Sequence, residues 1–190
     1  MTARSNDDSS NPIDRLLEDH RNFSRLLKLL ESNLRNVHDE TFADFELMHA
    51  AMHYMTHYPE VVHRATEDHL TEITATRTSD VAQMHSKLVS QHDELATDGQ
   101  EFLEMLNKLV DGALVERQEL EEIGQRYVSA QWDHMRFEER ELFPLIAHHL
   151  TPAERKQALR RAEANLDPLF GPVLLKDYAD LLQWVDQNAD

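Results

Sequence analysis

The chain has 190 residues, enough for one domain with a sizeable core. Its 36 acidic residues outnumber its 19 basic ones, a net charge of −17 that argues against nucleic acid or an anionic membrane surface as partner. With no cysteine the chain has no disulfide, thiolate ligand or cysteine nucleophile. No run of about 18 apolar residues offers a membrane span. The polar start, residues 1–11, lacks the apolar core of a signal peptide, so a cytoplasmic location is expected.

Only four glycines and six prolines interrupt the sequence, and the apolar–polar alternation of strands is scarce. The expected fold class is therefore all-α. Residues 1–10 read as a disordered tail. Asn11-Pro12 starts the first helix, as a cap followed by proline at the first helical position. Ile13, Leu16, Leu17, His20, Phe23, Leu27, Leu30 and Leu34 then recur at helical spacing, which turns His20 toward the core. Thr41 with Asp44 predicts a capping box for a second helix carrying Phe42, Phe45, Met48, Met52 and Met55. Pro59 is expected to kink or break that helix, and the segment from 60 to about 77 carries His63 and Glu67. Ser79 or Asp80 is expected to cap a third helix with Val81, Met84, His85, Leu88, His92, Leu95, Phe102, Leu106 and Leu109 on one face. Asp111-Gly112 is a turn. The fourth helix, residues 114–150, presents Leu120, Ile123, Tyr127, His134 and Glu138 on one stripe. Thr151-Pro152-Ala153-Glu154 reads as a capped restart. A short fifth helix ends near Asp167-Pro168, Gly171-Pro172 is a break, and Tyr178, Leu181, Leu182, Trp184 and Val185 mark a last amphipathic helix. Four long helices with short connections predict an antiparallel bundle over residues 11–150, with the helices of 151–190 packed outside it.

One pattern occurs twice in this frame. His63-x-x-x-Glu67-Asp68 returns as His134-x-x-x-Glu138-Glu139, 71 residues later at both the histidine and the glutamate (63 to 134, 67 to 138). His20 and His92 follow nearly the same offset, so each half supplies an upstream histidine and a His-x-x-x-Glu. Residues four apart on a helix share a face, about 6 Å along the axis. Turned inward, the set would place four imidazoles and two carboxylates in the core. Buried carboxylates close together are costly, and bound cations remove the cost. Oxygen and imidazole donors without sulfur suit Fe, Mn or Zn. Six ligands exceed what one tetrahedral zinc needs but suit two ions, with Glu67 and Glu138 each able to bridge and positions left open for a small ligand.

The other histidines carry a weaker signal. His49, His53 and His57 form a row that points away from His63 and reads as partly exposed. His85 lies about 10.5 Å from His92 along the axis, too far to share its metals easily. His69 suits a supporting role beside the ligands, and His38, His148 and His149 fall at helix ends. Tyr127 lies two turns before His134 on the same face. The ferritin arrangement of Glu-x-x-His on two helices is not met, since Gln131 stands where the fourth helix would need its Glu. The His-Glu-x-x-His string of zinc proteases is absent.

These motifs resemble those of hemerythrin-like proteins of the HHE cation-binding type. The resemblance runs through Glu18-Asp19-His20, Tyr58-Pro59, His63-x-x-x-Glu67-Asp68, Gln91-His92, His134-Met135-x-x-Glu138-Glu139 and Leu142-Phe143-Pro144, and extends to Leu150-Thr151 and Asp167-Pro168-Leu169-Phe170-Gly171. It implies an up-down-up-down four-helix bundle around a non-haem di-iron centre, two iron ions joined as Fe–O–Fe, with Zn or Mn as compatible substitutes. The implied ligands are His20, His63, Glu67, His92, His134 and Glu138, both glutamates bridging. The implied partner is a small diatomic or peroxide molecule (dioxygen, nitric oxide or peroxide), bound for sensing, storage or protection. The alternatives are a di-iron peroxidase or nitric oxide-reducing enzyme, and a structural or iron-storage bundle. Unlike the oxygen-carrying members, this chain has Leu88 and Ala96 four residues either side of His92, and so lacks the second histidine of their third helix. That departure argues against reversible oxygen carriage and toward redox turnover or sensing.

Overall fold

The computed structural model describes residues 11–163, 167–171 and 175–188. The expected tail at 1–10, the end of the fifth helix and Pro172 lie outside the described residues. Among those described, the chain is helical without strands. Helix α1 (Pro12–His38) is followed by α2 (Phe45–Tyr58), which runs through a single wide π turn (Pro59–His63) into α3 (Arg64–Ala75). Then come α4 (Ser79–Val110) and α5 (Arg117–Phe137), which passes through a second π turn (Glu138–Leu142) into α6 (Phe143–His149). Two helices, α7 (Pro152–Glu163) and α8 (Ala179–Gln187), complete the chain. Four rods result: α1, α2–α3, α4 and α5–α6. Each packs on the next, and α5 closes back on α1, giving the up-down-up-down antiparallel bundle. Helix α7 lies against α1 and α3, and α8 against α1 and α2, outside the bundle. No described helix is long and apolar enough to cross a membrane.

The ends of the helices follow local chemistry, in places by other residues than the pattern suggests. Asn11 caps α1 with Pro12 behind it, as expected. Helix α2 is capped by Asp44, which accepts from the Leu47 amide at 3.0 Å, whereas Thr41 belongs to the preceding turn. The Asp44 amide is itself held by Asn33 Oδ1, which fixes the helix start one turn later than a Thr41 cap would. Helix α4 is capped by Thr78 instead of Ser79 or Asp80. Thr151 and Glu154 form the reciprocal box that starts α7. Two helices end in a six-to-one backbone bond over a left-handed residue. At α4 that residue is Gly112, φ 79°, with Ala113 N–H bonded to Lys108 O. At α1 it is Glu40, φ 54°, a position where most helices use glycine.

Pro59 does not break its helix. The chain absorbs it in a π turn, in which the Arg64 amide reaches back five residues to the Pro59 carbonyl. The second π turn, closed by Phe143 N–H on Glu138 O, precedes Pro144. The inward residues explain why wide turns occur here. His134, Glu138, Leu142 and Ile146 are all buried at four-residue steps. Each such step drifts about 40° around a 3.6-residue helix. A turn holding more residues takes up the drift and keeps the stripe facing inward.

The core falls into two apolar clusters. One gathers Phe23, Leu27, Leu30, Met52, Leu95, Phe102 and Tyr127 with Leu181 and Val185 of α8. The other gathers Ile13, Leu16, Leu70, Leu88, Phe137, Leu142, Phe143 and Ile146. Each large side chain so buried contributes roughly 1.5–3 kcal/mol. Polar residues separate the two clusters: on α1 His20 lies between Leu16 and Phe23, and on α4 His92 lies between Leu88 and Leu95.

Candidate metal centre

The polar layer that divides the core contains all six residues that the repeated pattern singles out. His20, His63, Glu67, His92, His134 and Glu138 are buried, the two glutamates completely. Their donor atoms converge in two groups that share one carboxylate. His20, His63 and Glu138 form the first, and Glu67, His92, His134 and Glu138 the second, each with its ligand atoms within 4.8 Å of one another. In the first, His20 Nε2 is 3.2 Å from His63 Nε2 and 3.1 Å from Glu138 Oε2. In the second, His134 Nε2 is 2.8 Å from Glu138 Oε1, and His92 Nε2 is 3.3 Å from Glu67 Oε2. Ligands 2.0–2.2 Å from one ion sit roughly 3 Å apart, so these spacings suit one cation per group.

Glu138 alone belongs to both groups. The even expectation of two bridging glutamates meets an asymmetric geometry, in which Glu67 faces only the second group. The two His-x-x-x-Glu copies also differ. His134 and Glu138 share a group, whereas His63 and Glu67 fall in different ones. The first π turn ends at His63 and the second begins at Glu138, so the wide turn meets the two copies at different points.

The outer edge of each imidazole faces an oxygen. His63 Nδ1 is 3.0 Å from Asp19 Oδ2, and His20 Nδ1 is 2.9 Å from Glu139 Oε1. His134 Nδ1 is 3.5 Å from Gln91 Oε1, and His92 Nδ1 lies 3.8 Å from Asp68 Oδ1. Carboxylates and amide oxygens accept, so the imidazoles of His63, His20 and His134 hold their protons at Nδ1 and turn bare Nε2 lone pairs inward, while Asp68 stands beyond hydrogen-bond reach of His92. These four partners were not assigned a role from sequence. Their signal is their position: each sits next to a candidate ligand, at 19, 91, 68 and 139, and they obey the same repeat.

The inner face is therefore lined with acceptors. No oxygen of Glu67 or Glu138 makes a hydrogen bond of good geometry, and the Thr71 hydroxyl, also fully buried, makes none. Lone pairs without donors in a dry core demand a cation. In the metal-free chain, protons partly stand in. Burial, then the Glu138 charge, raises the Glu67 pKa well above the usual range, which favours the neutral carboxyl. Burial also opposes ionisation of Glu138, but His134 and His20 outweigh it and hold this carboxyl ionised. Burial depresses His63, and depresses His92 to about 3, with the His134 charge adding to the effect. Burial works against His20 too, yet the neighbouring carboxylates of Glu138 and Glu139 raise it. The donor set and its orphaned oxygens fit metal cations.

A cavity of about 210 Å³ opens beside the cluster and has His63, His92 and His134 in its wall. Tyr127 is part of the same wall, and is packed at 6.3 Å from the Phe102 ring. Of the remaining histidines, His85 and His69 are half-buried, and His38 pairs with Glu121 at the surface. His49, His53 and His57 run along the outer face of α2, the latter two exposed.

No curated protein and no solved structure matches the chain. The sequence model of the hemerythrin HHE cation binding domain matches residues 11–146, which spans α1 to α6 and every residue of the polar layer. On that match, and on a core whose orphaned acceptors call for cations, the chain belongs to the hemerythrin HHE cation-binding domain family.

Proposed function

We propose that this chain holds two iron ions, ligated by His20, His63 and Glu138 and by Glu67, His92, His134 and Glu138, and presents them to a small ligand such as dioxygen, nitric oxide or peroxide. The cellular role is sensing, storage or protection. When bound, iron supplies open coordination positions and redox chemistry. The protein's part is positional. Asp19, Glu139 and Gln91 keep the imidazole protons of His63, His20 and His134 on the outer edges and the rings aimed inward. The two apolar clusters keep bulk water from the ends of the layer.

The observation that carries this reading is the cavity. A structural or storage site gains nothing from an open space against its ligands. Here about 210 Å³ reaches candidate ligands of both groups, several times the roughly 30 Å³ that one water occupies in the liquid. Phe23, Met55 and Leu95 make part of its wall apolar, and Thr56, Tyr127 and Gln131 add polar groups. Those polar groups favour a second reading, an enzyme that reduces peroxide or nitric oxide, because they can hydrogen-bond a polar reactant.

The test is anaerobic loading with Fe(II), followed by nitric oxide or peroxide in a stopped-flow absorption instrument. The expected result is a saturable spectral change with nitric oxide and rapid oxidation by peroxide. Iron that responds to neither would leave a structural or storage bundle. Repeated peroxide consumption without loss of iron would place the enzyme reading first.

A further inference from the structure

Gln131 lies on α5, three residues before His134 and about 4.5 Å from it along the axis. It is only 8% exposed, yet it lines the cavity together with His63, His92 and His134. Its amide takes part in no hydrogen bond among the described residues, and neither of its polar atoms is sealed inside packed protein. The amide therefore meets the cavity. Two other polar groups of the wall are engaged within the chain: Thr56 donates its hydroxyl to the Met52 carbonyl at 2.8 Å, and Gln100 donates its amide to Glu104 at 3.1 Å. A nearly buried amide without a partner is costly to the fold. What it can serve is a molecule in the cavity.

We propose, on the reading that the cavity receives the ligand of the metal centre, that Gln131 recognises that ligand and selects peroxide over the diatomic gases. A carboxamide offers two N–H donors and a carbonyl acceptor. Hydrogen peroxide has O–H donors and oxygen acceptors, so it can use both ends of the amide. Dioxygen and nitric oxide carry no donor and accept weakly. A glutamate at this position would offer acceptors alone and add a third acidic group beside Glu67 and Glu138. The amide donates and adds no charge. Ala96 and Gln100 in the cavity wall are exposed, so a polar molecule can enter from solvent on the α4 side. The three histidines in the wall come from both ligand groups, so a molecule held by Gln131 has either group within the same space.

Gln131→Met keeps the length and approximate volume of the side chain and removes the amide. Stopped-flow absorption on protein loaded anaerobically with Fe(II) gives the rate constant for oxidation by hydrogen peroxide and, in a separate mixing, that for binding of nitric oxide. The ratio of the first to the second should fall roughly tenfold in Gln131→Met, the contribution of about one hydrogen bond. Iron content should equal that of wild type. The metal-free variant should melt no lower than wild type, because the lost amide has no partner within the chain. An unchanged ratio in a variant that holds its iron would overturn the proposal. Loss of iron, or a lower melting temperature, would overturn it too by giving the amide a structural part. Wild type that binds iron but responds to neither ligand would overturn the reading of the cavity itself, and this proposal with it.

Discussion

Glu67→Gln should stabilise the metal-free protein. Glu67 is fully buried, its two oxygens have no hydrogen-bond donor of good geometry, and Glu138 is its neighbour across the cluster. Burial, then the Glu138 charge, raises its pKa well above the usual carboxylate range, so the folded chain favours its protonated form. The unfolded chain does not. Protonating an ordinary glutamate at pH 7 costs about 1.4 kcal/mol per pH unit over some 2.5 units, or about 3.5 kcal/mol. Glutamine needs no proton and keeps the shape, so about 3.5 kcal/mol is the upper limit of the gain. For a chain of this size that is a rise in Tm of roughly 7–14 °C. The sign follows from the raised folded pKa. The folded state binds the extra proton, so wild-type stability grows as pH falls toward 4.5 and is lost as pH rises through the folded pKa. The advantage of Glu67→Gln should therefore shrink steadily between pH 7 and pH 4.5. Urea denaturation of chelator-treated wild type and variant at several pH values measures it. A variant less stable than wild type at pH 7, or a gain that does not vary with pH, would refute the reasoning.

Two further outcomes test the frame around the centre. Glu40→Gly should stabilise by about 1 kcal/mol, because Glu40 sits at φ 54° and glycine removes the left-handed penalty; the ion pair with Arg117 that it forfeits is exposed and contributes little, and thermal melting reads the difference. Hydrogen bonding to Arg77, then to Thr151, lowers the Glu154 pKa to about 2, so the stability it contributes is present above about pH 4.5 and lost as pH falls toward 2; the Tm difference between wild type and Glu154→Gln should close over that window.

Much of the frame was legible in the sequence because it rests on local chemistry. Apolar spacing located the four rods, and Asn11-Pro12, Asp111-Gly112 and Thr151 through Glu154 marked helix ends by capping rules that act over a few residues. The six candidate ligands stood out because the repeat sets them at matching positions in the two halves. What escaped depends on tertiary geometry. Thr41 and Asp44 both suit a cap, and the choice was made by Asn33, eleven residues upstream, which holds the Asp44 amide. Pro59 announces a disturbance but not its form, since a π turn and a break satisfy the same missing N–H. The division of ligands between two groups, with Glu138 shared and Glu67 not, follows from how the rods are phased around one another. Asp19, Gln91, Asp68 and Glu139 read as ordinary polar neighbours until the facing helix brings an imidazole to them.

The central claim is a dinuclear site that shares Glu138. Metal analysis after anaerobic titration with Fe(II) and removal of excess tests it most directly, on wild type, Glu67→Gln and Glu138→Gln together. The geometry predicts two irons per chain in wild type, retention of the His20–His63 ion with loss or weakening of the other in Glu67→Gln, and impaired binding of both in Glu138→Gln. Saturation of the wild type at one iron per chain, or two irons held undiminished by Glu138→Gln, would contradict it.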